Sequence, residues 1–146
     1  MTGVAPATIL VVDDEEDLRA AMRRILLRHG YTVLMAANAH DALSVVRAAQ
    51  SPIQLLLTDV SMPGEVTAAE LAEYAAARHP ELRVLFVSGY SKEIAVDKGL
   101  VHPDADVVEK PFTQSGLVEA VGTALGRGGS VRWRAGRVED RADRPE

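Results

Sequence analysis

The feature that most constrains this chain is the regular alternation of two kinds of segment. Short apolar runs rich in β-branched residues occur at 8–12, 32–36, 53–58, 83–88 and 105–109. Continuous runs of this kind read as strands buried on both faces. Between them lie longer segments with helical spacing. The first puts Leu18, Ala21, Met22, Ile25 and Leu26 on one face and stops at Gly30, with Arg28 and His29 in its last turn. Residues 39–49 and 67–78 make two more helices, and 92–98 a short, weak one. The last helix aligns Leu117, Val118, Val121, Ala124 and Leu125 and ends before Gly126. Five βα units in series predict a parallel sheet with helices on both faces. A closed barrel needs about eight such units and roughly 250 residues, so an open doubly wound α/β sheet is expected.

The length of 146 residues suits one domain. Residues 1–7 form an N-terminal extension, 8–126 the domain, and 127–146 an Arg-rich tail expected to be disordered, because apolar periodicity ends at Gly126. Charge divides at the same point. Residues 1–126 hold 10 basic and 17 acidic side chains, and the tail holds 6 Arg against 4 acids. An acidic body argues against DNA binding by the folded domain. Within the tail, Val131-Arg132-Trp133-Arg134 is a pattern that can stack on bases, but the interspersed acids favour a solvated segment. No apolar run approaches the roughly 18 residues of a membrane helix. No secretory signal is visible, and there are 0 Cys, so a cytoplasmic location is expected and no membrane partner.

In an open α/β sheet, ligands bind beyond the carboxyl ends of the strands. The residues that fall there are Asp13 and Asp14, Asp59, Ser88 and Lys110. Several carboxylates in one place repel unless a cation neutralises them, and oxygen ligands without His or Cys suit Mg²⁺. A lysine and a hydroxyl at the same edge can take phosphoryl oxygens, and a carboxylate can itself be the nucleophile. The pattern points to a site that carries a phosphoryl group on an aspartate.

The motifs Ile-Leu-Val-Val-Asp13-Asp14-Glu15, Leu-Leu-Thr-Asp59-Val-Ser-Met-Pro63-Gly64, Val-Ser88-Gly89-Tyr90 and Glu-Lys110-Pro111-Phe112 occur in order, each at a strand end. Together they resemble the receiver domains of two-component response regulators, especially those associated with hybrid sensor histidine kinases. The resemblance implies a flavodoxin-like strand order 2-1-3-4-5. It also implies Asp59 as phosphoacceptor, fed by a histidine kinase or phosphotransfer protein. Asp14, Asp59 and the backbone carbonyl of Ser61 would hold Mg²⁺, with Asp13 acting through a water of that ion. Lys110 would pair with a phosphoryl oxygen, and Ser88 would turn to hydrogen-bond the phosphate. Ser61 and Tyr90 would tune dephosphorylation, and a cis Lys110–Pro111 bond is implied. The protein would then be a phosphoacceptor rather than an enzyme, a single-domain regulator without a DNA-binding output. Its downstream protein partner would dock on the face from Ser88 to Asp104.

Two departures stand out. Val107 occupies the place, three residues before the lysine, where many receivers carry an aromatic, and Glu65-Val66-Thr67-Ala68-Ala69 lacks a glycine common after the Met-Pro-Gly loop. A receiver fragment of a hybrid kinase shares every motif and is the alternative reading. Other functions fit less well. A receiver-like binding module that no longer cycles phosphate would not need the full Asp/Asp/Ser/Lys set. An aspartate-nucleophile phosphatase wants Asp-x-Asp after the first strand, where this chain has Asp13-Asp14-Glu15, and a flavin site wants a Gly/Ser/Thr-rich phosphate cradle there. The four histidines have no ligand spacing and read as surface or helix-end residues.

Overall fold

A computed structural model describes residues 6–126, 131–134 and 137–140. Strands β1 (Thr8–Val12), β2 (Thr32–Ala36), β3 (Leu55–Asp59), β4 (Arg83–Ser88) and β5 (Asp106–Glu109) alternate with helices α1 (Glu16–Arg28), α2 (Ala39–Ala48), α3 (Ala68–Arg78), α4 (Lys92–Asp97) and α5 (Gln114–Gly126). The five strands form one parallel sheet in the order β2-β1-β3-β4-β5, as the sequence motifs imply. Two further strands, β6 (Val131–Arg134) and β7 (Arg137–Asp140), pair antiparallel in a sheet of their own. That ladder has no counterpart in the sequence reading, which ends regular structure at Gly126. The rest of the 127–146 tail lies outside the described residues.

The sheet is sandwiched between two apolar layers. One face carries Leu10, Val12, Leu56 and Phe86 against α2, α3 and Ala95 of α4. The other carries Ile9, Val11, Leu57 and Val87 against Met22 and Leu26 of α1 and Leu117 and Val121 of α5. Successive strand residues point to opposite faces. A central strand covered on both sides must therefore be apolar throughout, which is why Leu55-Leu56-Leu57 shows no polar alternation. β2 is an edge strand, and Thr32 and Met35 are exposed on it. Burying one such leucine contributes roughly 1.5–3 kcal/mol.

Local signals set the helix ends. Thr67 caps α3 by accepting from the Glu70 amide at 3.0 Å, and the Glu70 carboxylate accepts from the Thr67 amide at 3.0 Å. Asn38 caps α2 by accepting from the Asp41 amide, and Ser91 caps α4 by accepting from the Ile94 amide. Gly30 adopts φ 89° after α1, a left-handed turn that β-carbon-bearing residues avoid. α4 is one and a half turns long. Ala95 is buried, whereas Ile94 beside it is 46% exposed. His79, expected at a surface helix end, is buried at the foot of the sheet. Its Nδ1 accepts from the Ile53 amide at 3.1 Å, tying α3 to the start of β3. His79 follows Ala68, Leu71, Ala72 and Ala75 at helical spacing, so it continues the buried face of α3, and the chain turns at Pro80 directly after it.

Candidate functional site

Parallel strands deliver all their carboxyl ends to one edge of the sheet. The register pairs Val12 with Thr58, Asp59 with Val87, and Ser88 with Glu109. The next residues along are Asp13, Val60 and Lys110, so residues 13, 59, 88 and 110 meet although they are far apart in sequence. One carboxylate oxygen from each of Asp13, Asp14 and Asp59 lies within 4.8 Å of the others. Asp13 is fully buried, Asp59 is 5% exposed, and Asp14 faces solvent. The site is therefore a shallow bowl with two carboxylates in its floor and one on its rim.

Lys110 supplies the opposing charge. Its Nζ donates to Asp59 Oδ2 at 3.1 Å and lies 3.5 Å from Asp13 Oδ2 and 3.9 Å from Glu15 Oε1. The Lys110 amide donates to the Ser88 carbonyl at 2.7 Å, which anchors the lysine to the end of β4, and the Lys110–Pro111 bond is cis. Burial pulls the ammonium towards lower pKa, but hydrogen bonding and charge from Asp59, then Asp13, together hold it above 10.5.

Asp13 is in the opposite position. Burial raises its carboxyl above 3.8. The Glu15 amide and the Lys110 charge oppose that rise, and the Asp59 charge adds to it. Its Oδ1 accepts from the Glu15 amide at 2.8 Å, whereas buried Oδ2 has no hydrogen-bond partner. At 3.5 Å, Lys110 reaches Oδ2 as a charge more than as a donor. An unbonded buried carboxylate oxygen beside two more carboxylates is what a hard divalent cation with oxygen ligands would satisfy. The donor set thus fits Mg²⁺.

Asp59 Oδ1 accepts from the Ser61 amide at 3.1 Å, and Ser61 is exposed beside it. Ser88 is fully buried at the end of β4, and its Oγ accepts from the Tyr90 amide at 2.9 Å. Tyr90 is 38% exposed, with Lys98 Nζ 5.0 Å from the centre of its ring. That contact is cation–π in geometry and joins the β4–α4 loop to the far end of α4. Asp13, Asp14, Asp59, Ser61, Ser88, Tyr90 and Lys110 thus all lie at or beside this edge. Val107 is half-buried on β5 and has no ring to turn. Sequence reasoning missed Glu15, the third carboxylate near Lys110, and Arg19, whose Nη1 donates to the Asp13 carbonyl at 2.8 Å. Their positions at the N-cap and in the first turns of α1 were readable, but an acidic and a basic residue at a helix start look like ordinary surface charges.

The comparison with known proteins decides the family. Residues 9–122 match the response regulator receiver domain. The chain belongs to the receiver domain family. It is 34% identical over 114 residues to the response regulator receiver protein CpdR of Brucella abortus, covering 77% of this chain and 92% of that protein. It is 30% identical over 115 residues to the sensor kinase CckA of the same organism, covering 79% of this chain but only 12% of that protein. Among solved structures, a response regulator protein from Burkholderia pseudomallei superimposes with a TM-score of 0.67. The two are 27% identical, with 83% of this chain and 67% of that one covered. That structure holds a phosphorylated aspartic acid, a calcium ion and citrate. As a receiver domain, the chain is a component of two-component signalling. Among the described residues, no helix of this receiver is long and apolar enough to cross a membrane.

Proposed function

We propose that this receiver accepts a phosphoryl group on Asp59 from a histidine kinase or phosphotransfer protein, with Mg²⁺ held by Asp13, Asp14, Asp59 and the Ser61 backbone carbonyl. The observation that carries the reading is the meeting of three carboxylates within 4.8 Å, with Lys110 Nζ 3.1 Å from Asp59. A bound cation would draw negative charge off the incoming phosphoryl group. An Asp59 carboxylate oxygen attacks phosphorus as the phosphohistidine P–N bond breaks, and the electron pair leaves on the imidazole. Lys110 then moves its hydrogen bond from Asp59 to a phosphoryl oxygen, and the Ser88 hydroxyl donates to another. Later attack of water on phosphorus breaks the P–O bond to Asp59 and releases phosphate. Exposed Ser61 and Tyr90 flank the path of that water and set its rate.

We further read the chain as a cytoplasmic single-domain regulator whose message passes by protein contact across the face from Ser88 to Asp104, without DNA binding by the domain. Its match to nearly the whole of CpdR supports the single-domain part of this reading. The match to CckA supports a second reading, a receiver serving within a hybrid histidine kinase. The test of the core reading is incubation with acetyl phosphate and Mg²⁺ followed by intact mass measurement. One phosphoryl adduct should form, and it should be absent in Asp59→Asn and without Mg²⁺. An equal adduct in Asp59→Asn would overturn the assignment.

A further inference from the structure

Asp13 has four polar atoms, and the fold holds three of them. Its N–H donates to the Ala36 carbonyl at 3.3 Å, its Oδ1 accepts from the Glu15 amide at 2.8 Å, and its carbonyl accepts from Arg19 Nη1 at 2.8 Å. The fourth, Oδ2, is buried without a hydrogen bond and faces the acidic cluster. β1 ends at Val12, so the Asp13 carbonyl lies past the sheet ladder. Arg19 is one turn into α1, its own amide bonded to the Glu15 carbonyl at 2.9 Å, and its half-buried side chain reaches back across the turn to the strand end.

We propose that Arg19 is a positioning residue for the cation site: its guanidinium fastens the β1–α1 turn so that Asp13 Oδ2 and Asp14 face Asp59. This rests on the Mg²⁺ reading given above and adds a residue that is neither a ligand nor in contact with the phosphoryl group. The Glu15 amide holds the Asp13 carboxylate through Oδ1, and the Ala36 and Arg19 contacts hold the backbone that carries it, so Oδ2 is directed at the cluster before a cation arrives. A preassembled set spares the ordering cost of binding.

Positioning and plain electrostatics predict opposite signs here. A fixed positive charge close to the site repels a divalent cation. If charge were all that mattered, replacing Arg19 with a neutral residue would tighten Mg²⁺ binding. If Arg19 positions the turn, the same replacement loosens it, roughly tenfold by analogy with other residues that orient metal ligands.

The experiment is calorimetric titration of the metal-free full chain with MgCl₂. It compares wild type, Arg19→Met, Arg19→Lys and Asp14→Asn, with melting temperatures in EDTA as the measure of folding. The expected result is a higher Kd in Arg19→Met, an intermediate Kd in Arg19→Lys, which keeps one donor, and loss of binding in Asp14→Asn. A structural role alone would lower the melting temperature and leave Kd unmoved. If Arg19→Met does not fold, Arg19→Gln, also neutral, takes its place. Wild-type binding that is lost in Asp14→Asn but unchanged or tightened in the neutral Arg19 variant overturns the proposal alone. Absence of binding in wild type, or full binding in Asp14→Asn, overturns the cation-site reading and the proposal with it.

Discussion

Replacing Lys110 with methionine keeps a side chain of similar length and removes the ammonium that faces Asp59 at 3.1 Å and Asp13 at 3.5 Å. At an effective dielectric constant of about 20, each of these pairs is worth about 5 kcal/mol of Coulomb energy. Much of that is spent on keeping the lysine out of water, since only 22% of its side chain is exposed. Removing one partner of a buried pair typically costs about 3–5 kcal/mol. The partial exposure of Lys110 and the solvated rim carboxylate of Asp14 place the loss at about 2–4 kcal/mol at neutral pH without metal.

The pH dependence fixes the mechanism. The Asp13 carboxyl already sits above its unfolded value of 3.8. Without Lys110 it must rise further. A carboxyl with a raised folded pKa makes the folded state hold more protons, so stability is greatest below about pH 4 and falls as pH rises through the folded value. The cost of Lys110→Met should therefore be largest near pH 8 and shrink towards pH 4. In wild type the raised pKa of Lys110 has the same sign in a higher window: its contribution is complete below 10.5 and is lost as pH rises above it. The assay is urea unfolding followed by far-ultraviolet circular dichroism at several pH values, in EDTA and again in MgCl₂. Mg²⁺ at a hundredfold excess over Kd should return about 2.7 kcal/mol. An equal loss at pH 4 and pH 8, or a metal-free variant as stable as wild type at pH 8, would refute the reasoning.

Three further outcomes are expected. Fluoroberyllate with Mg²⁺ should change hydrogen exchange most in residues 88–104, because α4 buries only Ala95 and is joined to Ser88 through Tyr90 and Lys98; changes confined to α1 and α2 would show that the signal travels elsewhere. Leu57→Ala removes a fully buried side chain between β3, α1 and α5 and should cost about 2–5 kcal/mol by chemical denaturation, with the metal site retained. His79→Ala should cost about 1–3 kcal/mol, because the Ile53 amide loses its acceptor inside the fold. An effect under a few tenths of a kcal/mol would mean that the amide finds another partner.

Much of the fold was legible because its cause is local. The period of the apolar residues set the alternation of strands and helices, and β1, β2 and β4 fall where the β-branched runs lie. Caps were less visible: the Thr67-to-Glu70 spacing is a local signal, yet the expected helix began at Thr67 and the observed one at Ala68. The candidate ligands were legible for a related reason. Charged residues at the ends of continuous apolar strands have few structural duties, so Asp13, Asp59 and Lys110 stood out one by one. Three things were decided only by tertiary structure. His79 became a buried acceptor because it continues the buried face of α3 after Ala75 and there meets the Ile53 amide, a partner 26 residues away in sequence. Ile94 stayed in solvent because α4 is too short to turn a full face to the sheet. Arg19 and Glu15 joined the site because α1 folds back over the end of β1, placing residues two and six positions after Asp13 across one narrow turn. By itself, then, the sequence determined the order of elements and the chemistry available at one sheet edge, because both follow from side-chain type and period. The distances that turn that chemistry into a site depend on parallel strands in register, and register is a property of the packed sheet.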